Sequence, residues 1–457
     1  MSIAFDDPLR QFHWEPQPAA AACVQELVHD FLDVNDDARR LATRMRDETG
    51  TRFADWVDHI EIPSSRADVA RWRDAGFEES LIDGTRCFVH HGAIFPVLCV
   101  SDDVVMRVAI IVDDVSDFAA VHELDVIDGE PEAQYRRASV SVTPTTEFLV
   151  VERHGYVGFT VSPLTPDDAI TIARHRENLR TRRRALGNDE AGIEHVERLV
   201  DAAIADVGRD RACDLFFAAE REYWQRRNRA AQVQYARQAS LGLGWGNDDH
   251  HTYRSSREHF HRLIGIFERL GFFCRERFYA GRQAGWGAQV LEHPTTGIVI
   301  FADVDMSPDE LRGDFGHQGL ARRETLGTIG LWCALHGESI LEAGMHHLEC
   351  TFDYGLLRDQ LAGAHIETMD PFTSFSYLKQ AFTRGEIWPV RPARLDALLR
   401  SGRITGEQAE QFRQQGALGS HLENLERNDG FKGFNQDGVS EIISDTDPRR
   451  QLIHAGA

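Results

Sequence analysis

Hydrophobic and polar positions alternate between two periods along this chain, and the alternation itself repeats. Residues 1–50 carry apolar positions at three-to-four spacing with acidic N-terminal ends, in AAAACVQELVHDFLDV and DDARRLATRMRDET, which predicts helices. From Trp56 the period shortens. WVDHIEI reads as a strand, SSRADVARWRDAGF as a capped helix ending at Gly76, and TRCFVHHGAIFPVLCV as strands. MRVAIIVDDVSDFAAVHEL gives a further strand and helix, and ASVSVTPTTEFLVVERHGYVGFTV gives strands, so residues 55–162 read as two consecutive βαβββ units. A charged helical stretch from about Pro166 to Gln238 reads as a solvated connector, and its basic run RTRRR is assigned no partner.

The first pattern returns at Gly246. DDHHTYRSS is a strand, REHFHRLIGIFERLGF a helix ending at Gly271, and CRERFYAG, GAQVLEHP and TGIVIFADV are strands. After a helical insertion over 307–341, AGMHHLECTF opens another unit, DYGLLRDQLAGAHI is its helix, and SHLENLERN lies among its last strands. Asp58-His59 with Gly76-Phe77, and Asp249-His250 with Gly271-Phe272, mark an internal repeat. A repeated βαβββ unit curls its sheet and needs a partner unit to close a cavity. The expectation is an α+β fold with units paired into two barrel-like domains. The segments are a helical 1–50, a degenerate βαβββ pair over 51–165, a connector over 166–240, and a metal-binding pair over 241–457.

Period two on a strand places His250, Thr252 and Arg254 on one face and His251 and Tyr253 on the other. In SHLENLER, His421, Glu423, Leu425 and Arg427 share a face while Glu426 points away. Two histidines and a carboxylate on separate strands of one cavity can form a facial triad that binds a divalent metal and leaves positions open. His346 and His251 are out of phase with such a set, Glu349 is an alternative carboxylate, and His421 suits a hydrogen-bonding role. His59 matches His250 by repeat position, but the N-terminal half lacks a carboxylate strand, so the metal is expected in the C-terminal half alone. The glycines of GLGLGWG have no strand–helix context for a dinucleotide.

At these segments the chain resembles the vicinal-oxygen-chelate superfamily. DHHTYRSSREHFHRLIGIFERLGFF, GMHHLECTFDYGLLRDQLAGAHIETM and HLENLERNDGFKGFNQDGVSEII are similar to the ligand segments of the 4-hydroxyphenylpyruvate dioxygenase branch. His250 to Arg254 and QFRQQGALGSH leading into Glu423 to Arg427 resemble the 2-oxoadipate dioxygenase/decarboxylase (hydroxyglutarate synthase) family. The resemblance implies His250, His347 and Glu423 as ligands of Fe(II), O2 as co-substrate, Arg254 as counter-ion for a substrate carboxylate, and Phe431 in the substrate pocket. It implies oxidative decarboxylation and hydroxylation of a 2-oxo acid without separate 2-oxoglutarate. Extradiol ring cleavage and a metal-free binding protein of the same fold are the alternatives. The segment VSEIISDTDPRRQLI is expected to close over the cavity as a short helix.

Composition narrows the partners. The 457 residues are 42% hydrophobic and 27% charged, with a formal net charge of −23 that argues against nucleic-acid or anionic-membrane binding. Seven cysteines without CxxC spacing give no disulfide framework or zinc ribbon, in keeping with a cytoplasmic enzyme, and homo-oligomerisation is left open.

Overall fold

Residues 14–435, with 443 and 446–449, are described by the computed structural model of the chain. Helices α1 (Pro18–Val34) and α2 (Asp36–Arg44) come first, and the Asn35 side chain between them accepts from the Ala38 amide to start the second. The first unit is β1 (Val57–Pro63), α3 (Val69–Asp74), β2 (Glu78–Ile82), β3 (Thr85–Val89) and β4 (Val97–Ser101). The second is β5 (Met106–Ile111), α4 (Val115–His122), β6 (Tyr135–Val142) and β7 (Thr146–Arg153). It has one strand fewer than expected, because the acidic stretch 123–134, interrupted by Gly129 and Pro131, runs as a loop with a single bridge at Asp128.

Four helices follow: α5 (Pro166–Arg180), α6 (Asp189–Val207), α7 (Arg209–Gln225) and α8 (Arg229–Ala239). They are more than a solvated connector. Val196, Phe216 and Phe217 are buried in one core with residues of the second sheet's strands, including Tyr253 and Leu348. The basic run also has a partner: Arg182 and Arg184 are buried on the carboxylate of Glu220 and donate to the Ile340 and Leu341 carbonyls. Sequence periodicity could not show this, because the helices' polar surface masks a stripe that packs on another domain.

The third unit is β8 (Asp248–Arg254), α9 (Phe260–Leu270), β9 (Phe273–Tyr279), β10 (Trp286–Glu292) and β11 (Val299–Asp305). The insertion carries α10 (Phe315–Gln318) and α11 (Thr328–His336). The fourth unit has β12 (His347–Thr351), α12 (Tyr354–Gly363), β13 (Thr373–Ser374), β14 (Leu378–Phe382) and β15 (Ile387–Trp388). It continues through an unanticipated helical pair, α13 (Pro392–Arg400) and α14 (Gly406–Gln415), to β16 (Ala417–Leu418) and β17 (His421–Arg427).

One large sheet has the order β2-β3-β4-β1-β5-β7-β6, a second has the order β13-β14-β17-β12-β8-β11-β10-β9, and β15 and β16 form a two-stranded sheet. In each unit the first strand pairs in parallel with the last: β1 with β4, β5 with β7, β8 with β11, β12 with β17. The two first strands of each pair then meet antiparallel at the centre. The repeat reaches side-chain detail. Gly76 and Gly271 have φ of +96° and +110°, and a Cβ there would lie 2.7 Å from His90 Nε2 or 2.6 Å from His293 Nε2. Among the described residues no helix is long and apolar enough to cross a membrane. Most of the expected closing helix, VSEIISDTDPRRQLI, lies outside the described residues.

Removing Glu220 would leave two guanidinium groups buried without their carboxylate. Glu220→Ala should therefore cost roughly 3–5 kcal/mol, read as a lower urea midpoint, whereas an exposed control such as Glu410→Ala should change it little.

Candidate metal centre

The central seam of the second sheet brings β17, β12 and β8 side by side, and register decides which side chains meet. His250 lies opposite Glu349, and Glu349 opposite Glu423, so these three form one row across the strands. The neighbouring row is Thr252, His347 and His421. His250 Nε2 is 3.1 Å from Glu349 Oε1, and His347 Nε2 is 2.6 Å from the same oxygen and 4.0 Å from Glu423 Oε2. Ligand atoms of His250, Glu349 and Glu423 all lie within 4.8 Å of one another. Ligands on adjacent corners of a metal at the usual N and O bond lengths stand about 3 Å apart, so the donor set fits a divalent cation.

The surroundings fix these donors. Asp249 Oδ1 holds His250 Nδ1 at 2.8 Å, leaving Nε2 directed at the cluster. Arg427 braces Asp249 through two bonds of 2.7 and 2.9 Å. Gln380 donates to Glu423 Oε1 at 2.9 Å, and Thr252 donates to Glu349 Oε1 at 3.0 Å. Burial opposes ionisation of Asp249, yet Arg427 and His250 outweigh it and hold the carboxyl well below its usual range. Burial pushes the His250 imidazole down to about 4, so it is neutral and free to ligate near pH 7. His347 is depressed too, by burial and then by His421 and Arg254. Burial raises Glu423 to about 7, and burial with the adjacent Glu423 raises Glu349. Two close carboxylates without a cation disfavour joint ionisation.

The cavity that holds the cluster is also lined by Phe278, Trp286, Phe301, Phe372, Phe382 and Phe434. Arg254 lies in its wall, 2% exposed, with Nε and Nη1 lacking hydrogen-bond partners and Nε 4.0 Å from Asp303 Oδ2. Burial pulls its guanidinium to about 10 and pushes Asp303 up to about 8, each opposed by the other's charge.

The structure thus brings His250, His347, Glu423 and Arg254 to one cavity, and adds Glu349. Phe431 is placed elsewhere. It packs with Leu378 and Leu425, 4.7 Å from the Tyr377 ring, and it is Phe434 that lines the cavity, 4.9 Å from His250. The loop turns through positive φ at Asp429 and Gly430, and Arg427 Nη1 holds the Phe431 and Gly433 carbonyls, which decides which phenylalanine faces inward. His251 points to the other face, against Phe217 at 5.2 Å. His421 Nδ1 is held by the Thr383 carbonyl at 2.8 Å.

Sequence pattern alone does not assign Asp249 and Arg427 as positioning residues. Their signal was present, since Asp-His opens and Glu-Arg closes both halves. In the first, Asp58 holds His59 Nδ1 at 2.6 Å and Arg153 at 2.7 and 2.8 Å. There the acidic row is absent: Ala109 stands opposite His59, and Leu149 opposite Ala109.

No protein-family model and no curated protein matches the chain. Among solved structures it is similar to a 4-hydroxymandelate synthase variant from Streptomyces coelicolor, with 11% identity, a TM-score of 0.26, and coverage of 86% of this chain and 98% of that one. It is similar to methylmalonyl-CoA epimerase from Mycobacterium tuberculosis at 11% identity and a TM-score of 0.23, over 40% of this chain and 88% of the other. A xylose isomerase-like TIM barrel/4-hydroxyphenylpyruvate dioxygenase fusion protein matches at 10% identity and a TM-score of 0.25, over 92% and 57%. What the site can do follows from its own side chains.

Two outcomes test the geometry. Asp249→Asn should lower Mn(II) affinity about 10–100-fold in equilibrium dialysis, because it loosens the His250 ring without removing a donor. The second concerns pH. Glu423 and Asp303 titrate higher folded, at about 7 and about 8, than unfolded. Their contribution is complete below their unfolded pKa values and is lost as pH rises through the folded ones. His250 has the opposite sign, gaining between about 4 and 6.5 and then remaining flat. Metal-free protein should therefore lose stability between pH 6.5 and 8, by up to about 1.4 kcal/mol per pH unit per group, with Glu423 contributing up to about pH 7 and Asp303 up to about pH 8; in urea titrations saturating Mn(II) should remove the Glu423 share and leave that of Asp303.

Proposed function

We propose that the chain is an Fe(II)-dependent dioxygenase that oxidatively decarboxylates a 2-oxo acid with a distal carboxylate and hydroxylates the remainder. The observation that carries this reading is the pairing, in one aromatic-walled cavity, of a His/Glu donor cluster with the buried, unsatisfied guanidinium of Arg254. In a metal-free binding protein the close approach of His250, Glu349 and Glu423 ligand atoms within 4.8 Å would have no purpose of its own.

A bound Fe(II) would supply Lewis acidity and redox contact with O2. His250, His347 and Glu423 would hold it, with Asp249 fixing the His250 tautomer and Gln380 orienting Glu423. The keto acid end of the substrate belongs at this cluster. Arg254 lies four residues along β8 from His250, about 13 Å at strand spacing, so its guanidinium is suited to pair bidentately with the substrate's far carboxylate. The phenylalanines and Trp286 exclude water from the reacting end and confine a flexible aliphatic chain. The overall reaction balances with O2 alone: CO2 leaves, one oxygen atom enters the new carboxylate, and the other becomes the hydroxyl.

Anaerobic loading with Fe(II), followed by O2 uptake and CO2 release over a panel of 2-oxo acids, should give turnover with dicarboxylic members and little with uncharged tails. Arg254→Ala should lower kcat/KM by roughly two to three decades with iron content unchanged. Absence of CO2 release with every 2-oxo acid, or ring cleavage of a catechol instead, would overturn the assignment.

A further inference from the structure

Glu349 is one ligating group more than a facial triad requires. It sits in the same row as His250 and Glu423, and its side chain is fully buried. Its Oε1 is 3.1 Å from His250 Nε2 and 2.6 Å from His347 Nε2, the separations of neighbouring ligands around one ion. Oε1 also accepts from Thr252, while Oε2 is buried beside the Glu423 carboxyl with no amide or hydroxyl donor on it. A carboxylate tethered at one oxygen by a neutral hydroxyl has a resting place when it is not on a metal. The equivalent position in the first half is Ala109, which offers no donor.

We infer that Glu349 is a fourth protein ligand of the resting centre and that a chelating substrate displaces it. This rests on the cavity's being a divalent-metal site for 2-oxo acids. Four protein ligands on a six-coordinate ion would leave two positions, enough for the carboxylate and keto oxygens of a keto acid. O2 would have no position until Glu349 leaves the ion, retained by the Thr252 hydroxyl that already bonds its Oε1. The side chain acts as a gate that keeps the metal closed to O2 before substrate arrives. It couples oxygen access to chelation without any movement of the sheet.

The test counts exchangeable waters on bound Mn(II) by water-proton relaxation, without turnover. The wild type should carry about two, Glu349→Ala about three, and the wild type saturated with oxalate, a two-oxygen chelator, about one. Mn(II) affinity should fall at least about tenfold in Glu349→Ala and also in Glu349→Gln, which preserves volume should the alanine variant misfold. About three waters in wild type and both variants, with unchanged affinity, would remove Glu349 from the ligand set while leaving the metal site in place. No water remaining with oxalate, or two unaltered by it, would show that Glu349 is not displaced. Failure of the wild type to bind Mn(II) would instead defeat the underlying reading of the site.

Discussion

The parallel pairing of the first and last strand within each unit is the constraint on which the site depends. With β8 and β12 meeting antiparallel at the centre, that pairing sets β17 beside β12 and leaves β8, β12 and β17 consecutive. Three segments separated by about a hundred and by about seventy residues in the chain are thereby placed at inter-strand spacing of about 4.8 Å. A one-residue slip in either pairing would turn Glu349 or Glu423 to the opposite face, so the site is a direct reading of register.

Concentrating two carboxylates and a guanidinium inside an aromatic cavity opposes stability, since charged groups lose their hydration there. The scaffold compensates for only part of this. Asp249 is satisfied by His250 and Arg427, and Glu423 has Gln380. Glu349 Oε2 and the Arg254 Nε and Nη1 are left without partners. The unsatisfied groups are a carboxyl and a guanidinium lining one cavity, an arrangement matched by a cation on the first and an anionic tail on the second. The cost of the uncompensated groups is a structural counterpart of the specificity.

The two halves separate scaffold from chemistry. Both retain Asp-His at the seam and an arginine on the last strand that braces the aspartate. Only the second places acids in the row beside the histidine, where the first has Ala109 and Leu149 within a small apolar cluster. The helices α5–α8 pack on the second sheet and reach the first half through polar contacts of Arg176 and Arg211 with Glu132 and of Asp214 with His154, and the Arg182–Arg184–Glu220 cluster fastens them to the insertion.

The units, their repetition and the residues able to ligate are legible in local pattern, because strand and helix periods, Gly76 and Gly271, and the Asp-His pairs are local features. Phase along β8 likewise placed His250 and Arg254 on one face. Tertiary structure decided what local pattern cannot contain. Periodicity identifies the face of Glu349, but only the pairing of β12 with both β8 and β17 puts its oxygen between His250 and His347. The choice of Phe434 over Phe431 depends on a loop held by Arg427, and the burial of Arg182 and Arg184 on a carboxylate from another helix. Each of these follows from contacts between segments distant in the chain, whose register and packing are set only when the sheets close.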